Sequence, residues 1–323
     1  MKRIAVLSSG GDAPGMNAFI RAVIRTTIGL GLEAYGVMRG FQGLIDGDIE
    51  PLDKRSVSNI IQRGGTILHT ARSVEFKTAK GQRQALRNLN SKSIDGLVVL
   101  GGDGSLTGAL ALHNAGFKVI GGPGTIDNDL EGTDMAIGVD TALNTVLDAI
   151  DRIKETASSH QRAFLVEVMG RNCGYLALIA AIVGGAEMAC IPEIPLELSD
   201  VHRVVENAYI KGKTHCIIVV AEGAQHPTRE IKQYLDAHSE ETGFETRETI
   251  LGHIQRGGSP TAYDRLLATR LGAAAVEQLL AGESGKMVGI IGNQIAATPI
   301  KDILANRKKL DMELYKLAQL LEK

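Results

Sequence analysis

Short apolar runs that end in glycine, each followed by a stretch with helical spacing, recur along the chain. Residues 94–100 (IDGLVVL) lead into Gly101-Gly102-Asp103-Gly104-Ser105. Helical spacing follows over 106–115, and a shorter apolar run at 117–120 leads into Gly121-Gly122-Pro123-Gly124. Strand, glycine turn, helix, strand, glycine turn is the signature of a parallel-sheet unit in an α/β fold. The chain opens on the same pattern: apolar 3–7, a loop over 8–15 (SSGGDAPG), then helical spacing over 16–30. The pattern predicts further strands at 33–38, 163–168, 188–191, 216–220, 248–251 and 287–292. It predicts further helices at 78–90, 141–157, 176–183, 201–210, 260–281 and over most of 300–321, with 39–44 as a turn. The periodicity behind these assignments is 3.6 for helices, whereas the strands are short apolar runs.

In parallel sheets the ligand sits outside the carboxyl ends of the strands. The turn at Gly101–Ser105 can offer backbone N–H groups and a helix amino terminus to a phosphate. Asp103 puts a carboxylate inside that cradle, which would repel phosphate unless a cation stood between them, and so points to Mg²⁺. The second turn runs into Thr125, Asp127 and Asp129. Carboxylates so grouped can hold a metal and take a proton from an attacking hydroxyl. The opening loop is neither a Walker A loop nor G-x-G-x-x-G, which disfavours generic dinucleotide binding. Each feature alone has an ordinary reading. Arg21 and Arg25, four residues apart, form a solvated helix face; Lys211, Lys213 and His215 complement a helix end; Arg72 is a surface charge; His253 is structural. The two glycine turns together, each behind a strand, are what argue for phosphate chemistry.

Composition narrows the field. The 323 residues suit one large domain or two of ordinary size, and 44% apolar residues suffice for a substantial core. A net charge of −2, no tryptophan and few other aromatics argue against nucleic acid as a partner. Cys173, Cys190 and Cys216 fall in or beside apolar runs and read as buried reduced thiols of a cytosolic protein. No signal-peptide pattern and no long apolar run suggest secretion or a membrane. No short repeat or composition-marked linker divides the chain.

The blocks SGGDAPGMN (Ser9–Asn17), GGDGS, PGTIDND and GHIQRGG (Gly252–Gly258), in this order, resemble the ATP-dependent 6-phosphofructokinase family in its short bacterial form. The resemblance runs along nearly the whole chain. It implies an α/β fold of two similar three-layer domains with mostly parallel sheets: an ATP-binding domain of residues 1–138 plus 251–305, and a fructose-6-phosphate-binding domain of residues 139–250 plus 306–323. The implied reaction is ATP + D-fructose 6-phosphate → ADP + fructose 1,6-bisphosphate, with Mg²⁺, in a cytoplasmic homotetramer open to ADP or phosphoenolpyruvate as effectors.

The same resemblance distributes roles. Asp127 is the implied base, with Arg72, Thr125 and Arg171 around the transferring phosphoryl group. Gly11, Phe41, Arg72, Ser73, Gly102, Asp103, Gly104, Ser105 and Gly108 are the implied ATP residues, and Asp103 and Asp129 the metal ligands. Thr125, Asp127, Arg162, Met169, Gly170, Arg171, Glu222, Arg247, His253 and Arg256 are the implied sugar-phosphate residues, with Arg162 and Arg247 serving a neighbouring subunit's site. Arg21, Arg25, Lys154, Gly185, Glu187, Lys211, Lys213 and His215 form the implied effector site. Four positions depart from the family pattern: Phe41 lacks a hydroxyl, Ser73 replaces a cysteine of some members, Lys154 replaces arginine, and Tyr175 replaces an aspartate that would favour a helix dipole. Two alternatives stay open: a pyrophosphate-dependent relative, and a non-catalytic sensor of nucleotide and sugar phosphate. Gly104 and Gly124 speak against the first, because pyrophosphate users tend to carry aspartate and lysine there. The intact set Asp103, Asp127 and Asp129 speaks against the second.

Overall fold

The computed structural model describes residues 1–322. The chain begins β1 (Arg3–Ser8), α1 (Met16–Gly29), β2 (Glu33–Val37), α2 (Gly40–Asp46), β3 (Ile49–Leu52), α3 (Ala79–Ser91), β4 (Gly96–Gly101), α4 (Asp103–Asn114) and β5 (Val119–Pro123). Next come α5 (Val139–His160), β6 (Arg162–Val168), α6 (Tyr175–Gly184), β7 (Met188–Cys190), α7 (Leu198–Ile210), β8 (Cys216–Ala221), α8 (Thr228–Ala237), α9 (Ser239–Thr242) and β9 (Glu245–Ile250). It ends with α10 (Ala262–Leu280), β10 (Lys286–Ile291), β11 (Gln294–Pro299), α11 (Ile300–Ala305) and α12 (Met312–Glu322). No helix of the described residues is long and apolar enough to cross a membrane.

The chain divides into two units, one built from residues 1–126, 130–141 and 256–308, the other from 127–129, 142–255 and 309 onward. Lys323 lies outside the described residues. The crossings expected at 138, 250 and 305 fall a few residues later, and hydrogen bonds explain each shift. Asp264 accepts hydrogen bonds from Gly138 N–H and Thr141 N–H, both at 2.8 Å, which ties the first turn of α5 to the first unit. Leu251 N–H donates to the Glu167 carbonyl at 3.0 Å and Met169 N–H to Gln255 Oε1 at 3.2 Å, which keeps 251–255 with the second unit. Lys308 donates to the carbonyls of Thr133 and Asp134 at 2.8 and 2.7 Å, which keeps the stretch up to 308 with the first.

In the first unit seven strands run in the order β11-β10-β5-β4-β1-β2-β3. The inner pairs are parallel; β3 and β11 are antiparallel edges. The central strands are buried on both faces, hence their unbroken runs of Val, Ile and Leu. A core under one face gathers Leu7, Val99, Val119, Phe41, Phe76 and Leu106. The second unit has four parallel strands in the order β7-β8-β6-β9 over a core that includes Leu165, Ile218, Val205 and Leu235. Cys173, Cys190 and Cys216 are all buried thiols.

Three local readings need correction. Residues 40–46 are helical rather than a turn, because Arg39 and Gly40 both take left-handed backbone angles and the helix buries Phe41, Leu44 and Ile45. The strand at 286–291 is not the last: Gly292 and Asn293 (φ 54° and 64°) form a two-residue hairpin turn into β11. The carboxyl-terminal helical stretch is broken over 306–311, where the chain leaves one unit for the other.

Candidate active site

Strands β1 and β4 are neighbours, but β1 connects through α1 to β2 on one side and β4 through α4 to β5 on the other. That reversal opens a crevice beyond the carboxyl ends of the two strands. Three loops meet there. Ser9 N–H donates to the Leu100 carbonyl at 3.0 Å, and Gly124 N–H to the Gly101 carbonyl at 3.1 Å. A β-carbon on Gly101 would lie 2.4 Å from Ser105 Oγ and 2.5 Å from the Ser9 carbonyl oxygen, so only glycine lets these loops close up.

Helix α4 begins at Asp103 with no side chain capping its amino end, which leaves N–H groups for an anion. Asp103 and Gly104 are exposed, Ser105 is buried, and a β-carbon on Gly104 would meet nothing within 4 Å. Thr125 is 8% exposed and sits beside Gly102. Phe41 and Gly108 come together: a β-carbon on Gly108 would lie 2.5 Å from the Phe41 ring. That ring also stacks on Phe76 at 4.2 Å and is only 6% exposed, so it shapes the wall from beneath and offers no open stacking face. Ser73 Oγ accepts from Phe76 N–H at 3.2 Å, while the exposed Arg72 side chain has no hydrogen-bonding partner among the described residues. Arg256 lies against Gly11 within this unit.

No three His, Cys, Asp or Glu side chains among the described residues cluster tightly enough to hold a metal ion by themselves. Mg²⁺ keeps waters and takes one or two carboxylates together with substrate phosphates, and the exposed Asp103 carboxylate in the uncapped first turn of α4 is a ligand of that kind.

In the second unit, the loops after β8, β6 and β9 again share one sheet end. Glu222 N–H donates to the Val168 carbonyl at 2.8 Å, and Leu251 N–H to the Glu167 carbonyl at 3.0 Å. Buried Gln255 accepts from Met169 N–H at 3.2 Å and donates to the Gly252 carbonyl at 3.0 Å, joining the two loops that carry Met169–Arg171 and His253. Arg171 Nε lies 3.9 Å from Glu222 Oε1, an exposed pair of little energetic weight. Burial pushes the Cys173 thiol up to about 11; Glu193, Asp129 and Asp127 add to it, which locates both aspartates near this loop. Tyr175 opens α6, and the negative charge an aspartate would bring there comes from Glu193, whose Oε1 accepts from Gly174 N–H at 2.8 Å.

Arg162 and Arg247 stand apart from that group. Arg162 is the first residue of β6 and Met169 follows its last, a span of about 23 Å at ~3.3 Å per residue. Phe164 pairs with Arg247 on β9, and Glu245 binds both arginines, at 2.7 Å in the case of Arg162. The hydrogen bond from Arg162 holds the Glu245 carboxyl below its usual range.

Arg21 and Arg25 lie on α1 in the first unit; burial, then repulsion from Arg25, lowers the pKa of Arg21. The remaining expected effector residues are in the second. Buried Glu187 accepts from Lys213 Nζ at 3.0 Å and from Ile217 N–H at 2.6 Å. Lys154 donates to the Gly184 carbonyl, next to Gly185, and His215 Nδ1 is 2.8 Å from Ser158 Oγ. Lys211 is the exposed residue that follows the last residue of α7. A cavity of about 110 Å³ beside this cluster is lined by Gly185, Glu187, Lys213, Tyr315 and Gln319 among others.

Several supporting residues carried no usable sequence signal: Glu193, Glu245 and Asp264. Gln255 lies inside the GHIQRGG block and Asn17 inside the SGGDAPGMN block, which could have marked them.

A glycine-walled crevice at a helix amino terminus in one unit, and cationic and carboxylate groups at a sheet end in the other, define an α/β enzyme of phosphate-bearing small molecules. The family model for phosphofructokinase matches residues 3–279, and the chain belongs to that family. It is 53% identical over 319 residues to the ATP-dependent 6-phosphofructokinase of Natranaerobius thermophilus, covering 99% of both chains. It is 54% identical over 319 residues to that of Shouchella clausii, again covering 99% of both. Among solved structures, phosphofructokinase from Saccharomyces cerevisiae superposes with a TM-score of 0.87 at 39% identity; the chain is covered completely and spans 47% of the yeast chain.

Proposed function

We propose that this chain transfers the γ-phosphoryl group of ATP to the 1-hydroxyl of D-fructose 6-phosphate. The observation that carries the reading is the uncapped amino end of α4, set among three glycine loops at the β1–β4 switch point. The names of relatives identical at more than half of all positions support the substrates.

The first unit is the ATP side: Gly102 and Gly104 leave room for the nucleotide, Gly11 and Gly108 admit Arg256 and the Phe41 wall beside it, and Ser105, Ser73 and Arg72 are assigned to the phosphates. Asp103 and Asp129 would hold Mg²⁺, which neutralises phosphate charge when bound. The Asp127 carboxylate takes the proton of the 1-hydroxyl. The alkoxide oxygen then bonds to the γ-phosphorus as the bond from that phosphorus to the bridging oxygen breaks, and ADP leaves. Arg72, Arg171 and Thr125 stabilise the charge on the equatorial oxygens. Met169, Gly170, Glu222, His253 and Arg256 hold the sugar phosphate. The distance of Arg162 and Arg247 from Met169 along β6 supports their serving a neighbour's site in a homotetramer. The Lys154–Gly185–Glu187–Lys213–His215 cluster, with Lys211, is the candidate effector site for ADP or phosphoenolpyruvate, and Arg21 and Arg25 are assigned to such a site of a neighbouring subunit. We assign the enzyme to the cytoplasm.

Phosphoryl transfer to fructose 6-phosphate with Mg²⁺, run with ATP and with pyrophosphate as donor, tests this reading. Activity with ATP alone is expected. Activity with pyrophosphate alone would transfer the site to the other donor, and inactivity with both would point to another acceptor or to a sensor. The open space at Gly104 favours ATP. Gly104→Asp should fold normally, yet lose at least ~10-fold in kcat/KM for ATP through like-charge repulsion.

A further inference from the structure

We infer that Asn17 is a positioning residue for phosphoryl transfer: it fixes the backbone of residues 63–67 so that Arg72 is aimed at the phosphoryl group. The inference rests on the reading of Arg72 given above. Asn17 is the second residue of α1, directly after the loop that carries Gly11, and is 1% exposed. Its Nδ2 donates to the carbonyls of Arg63 and Gly64 at 3.0 and 3.1 Å, and its Oδ1 accepts from Ile67 N–H at 2.8 Å. Both donors and the carbonyl of one side chain are thus committed to a single five-residue segment. The partners also fix the amide orientation, since a flipped amide would set Oδ1 against two carbonyl oxygens.

The segment is pinned again just downstream. Ser8 Oγ lies 2.7 Å from Thr66 Oγ1 and donates to the His69 carbonyl at 3.2 Å. Arg39 N–H donates to the carbonyl of buried Leu68 at 2.7 Å. His69 then takes a left-handed backbone angle (φ 57°), and the chain reaches the exposed Arg72 three residues later. No side-chain partner among the described residues orients that guanidinium. Its direction is therefore set by the backbone that delivers it, and Asn17 and Ser8 hold that backbone. Neither touches the reacting groups in this reading. A misplacement near 1 Å costs on the order of 10²-fold in rate.

The test is a double-mutant cycle between Asn17→Ala and Arg72→Ala, read as kcat with ATP and fructose 6-phosphate. Asn17→Ala should lower kcat by about 10²-fold, with both KM values changing only a few-fold. Added to Arg72→Ala, it should lower kcat by less than about threefold, because its target is already gone. Ser8→Ala, which removes one hydroxyl, should show a smaller loss with the same dependence on Arg72, and keeps the test readable if Asn17→Ala fails to fold. A full Asn17 or Ser8 effect persisting in the Arg72→Ala background would reduce both to structural residues and overturn the inference. Arg72→Ala with undiminished kcat would overturn the reading of Arg72 as well, and that single variant tells the two failures apart.

Discussion

The Arg256 guanidinium lies against the backbone of Gly11: Nη1 is 2.6 Å from where a β-carbon on Gly11 would stand, and 3.1 Å from the Asp12 carbonyl oxygen it binds. The opening loop is thus shaped to seat a cation contributed from the far end of the sequence. Gly11→Ala must displace that cation, and the displaced atoms are the free end of a flexible side chain. The variant should keep its melting temperature within a few degrees and lose at least ~10-fold in kcat/KM, about 1.4 kcal/mol. Unchanged kinetics would show that Arg256 acts from another position.

Removing the proposed base should separate chemistry from binding. Asp127→Ser is expected to lower turnover by ~10²–10⁴, about 3–5 kcal/mol of barrier, while fructose 6-phosphate still binds in a calorimetric titration. Near-parental turnover would remove Asp127 from the mechanism.

His215 gives the candidate effector site a pH dependence of defined sign. Burial holds its pKa below the ordinary value; Glu187 opposes this, and Lys154 and Lys213 add to it. The ligand-free imidazole is therefore neutral at pH 7, and a bound phosphate would raise its pKa and draw in a proton. ADP or phosphoenolpyruvate should bind more tightly as pH falls from about 7.5 toward 6, spanning the ordinary histidine pKa. Calorimetry in buffers of different ionisation enthalpy should show proton uptake, lost in His215→Gln. Equal enthalpies in all buffers would contradict this account.

Asp264 anchors the start of α5 through Gly138 N–H, Thr141 N–H and Thr141 Oγ1, the last at 2.6 Å, and is fully buried. Asp264→Ala strands these donors, and at ~1–3 kcal/mol per unsatisfied group, not fully additive, a loss of about 3 kcal/mol in unfolding free energy is expected. Burial, opposed by the bonds from Thr141 and Gly138, holds the Asp264 carboxyl above the usual range. Between the unfolded value near ~3.9 and that raised value the native state binds the extra proton, so this contribution to stability falls as pH rises through the window. Urea titrations across pH 4–7 should show that slope in the parent and not in the variant.

Elements with strong local patterns were legible in the sequence. Residues 103–114 and 198–210 form helices where 106–115 and 201–210 were expected, with the main differences at the amino ends. Helix α7 starts early at a capping box of Glu197 and Asp200, and α4 starts in its glycine turn with no side-chain cap; neither shows in the apolar periodicity. Helix α2 was not legible, because two of its seven residues are glycine and it is held by burial of Phe41, Leu44 and Ile45. Strand β11 has mixed exposure and no apolar run, although the Gly292-Asn293 pair was a hairpin signal in plain view. The α8 stretch at Thr228–Ala237 buries only Thr228, Ile231 and Leu235, too sparse a stripe to stand out by eye.

What the sequence determined by itself was residue type and local order: glycine turns behind apolar runs, carboxylates at 103, 127 and 129, and blocks that resemble one family. The phosphate-site roles of its arginine and histidine residues are what that resemblance implies, not what residue type and spacing alone decide. Only the tertiary structure decided which strands are neighbours. The β1–β4 switch point, the seating of Arg256 on Gly11, the hold of Asn17 on residues 63–67, and the separation of Arg162 and Arg247 from Met169 all depend on it. Each follows from strand order and from buried polar groups finding partners far away in the chain, and no local pattern encodes such pairings.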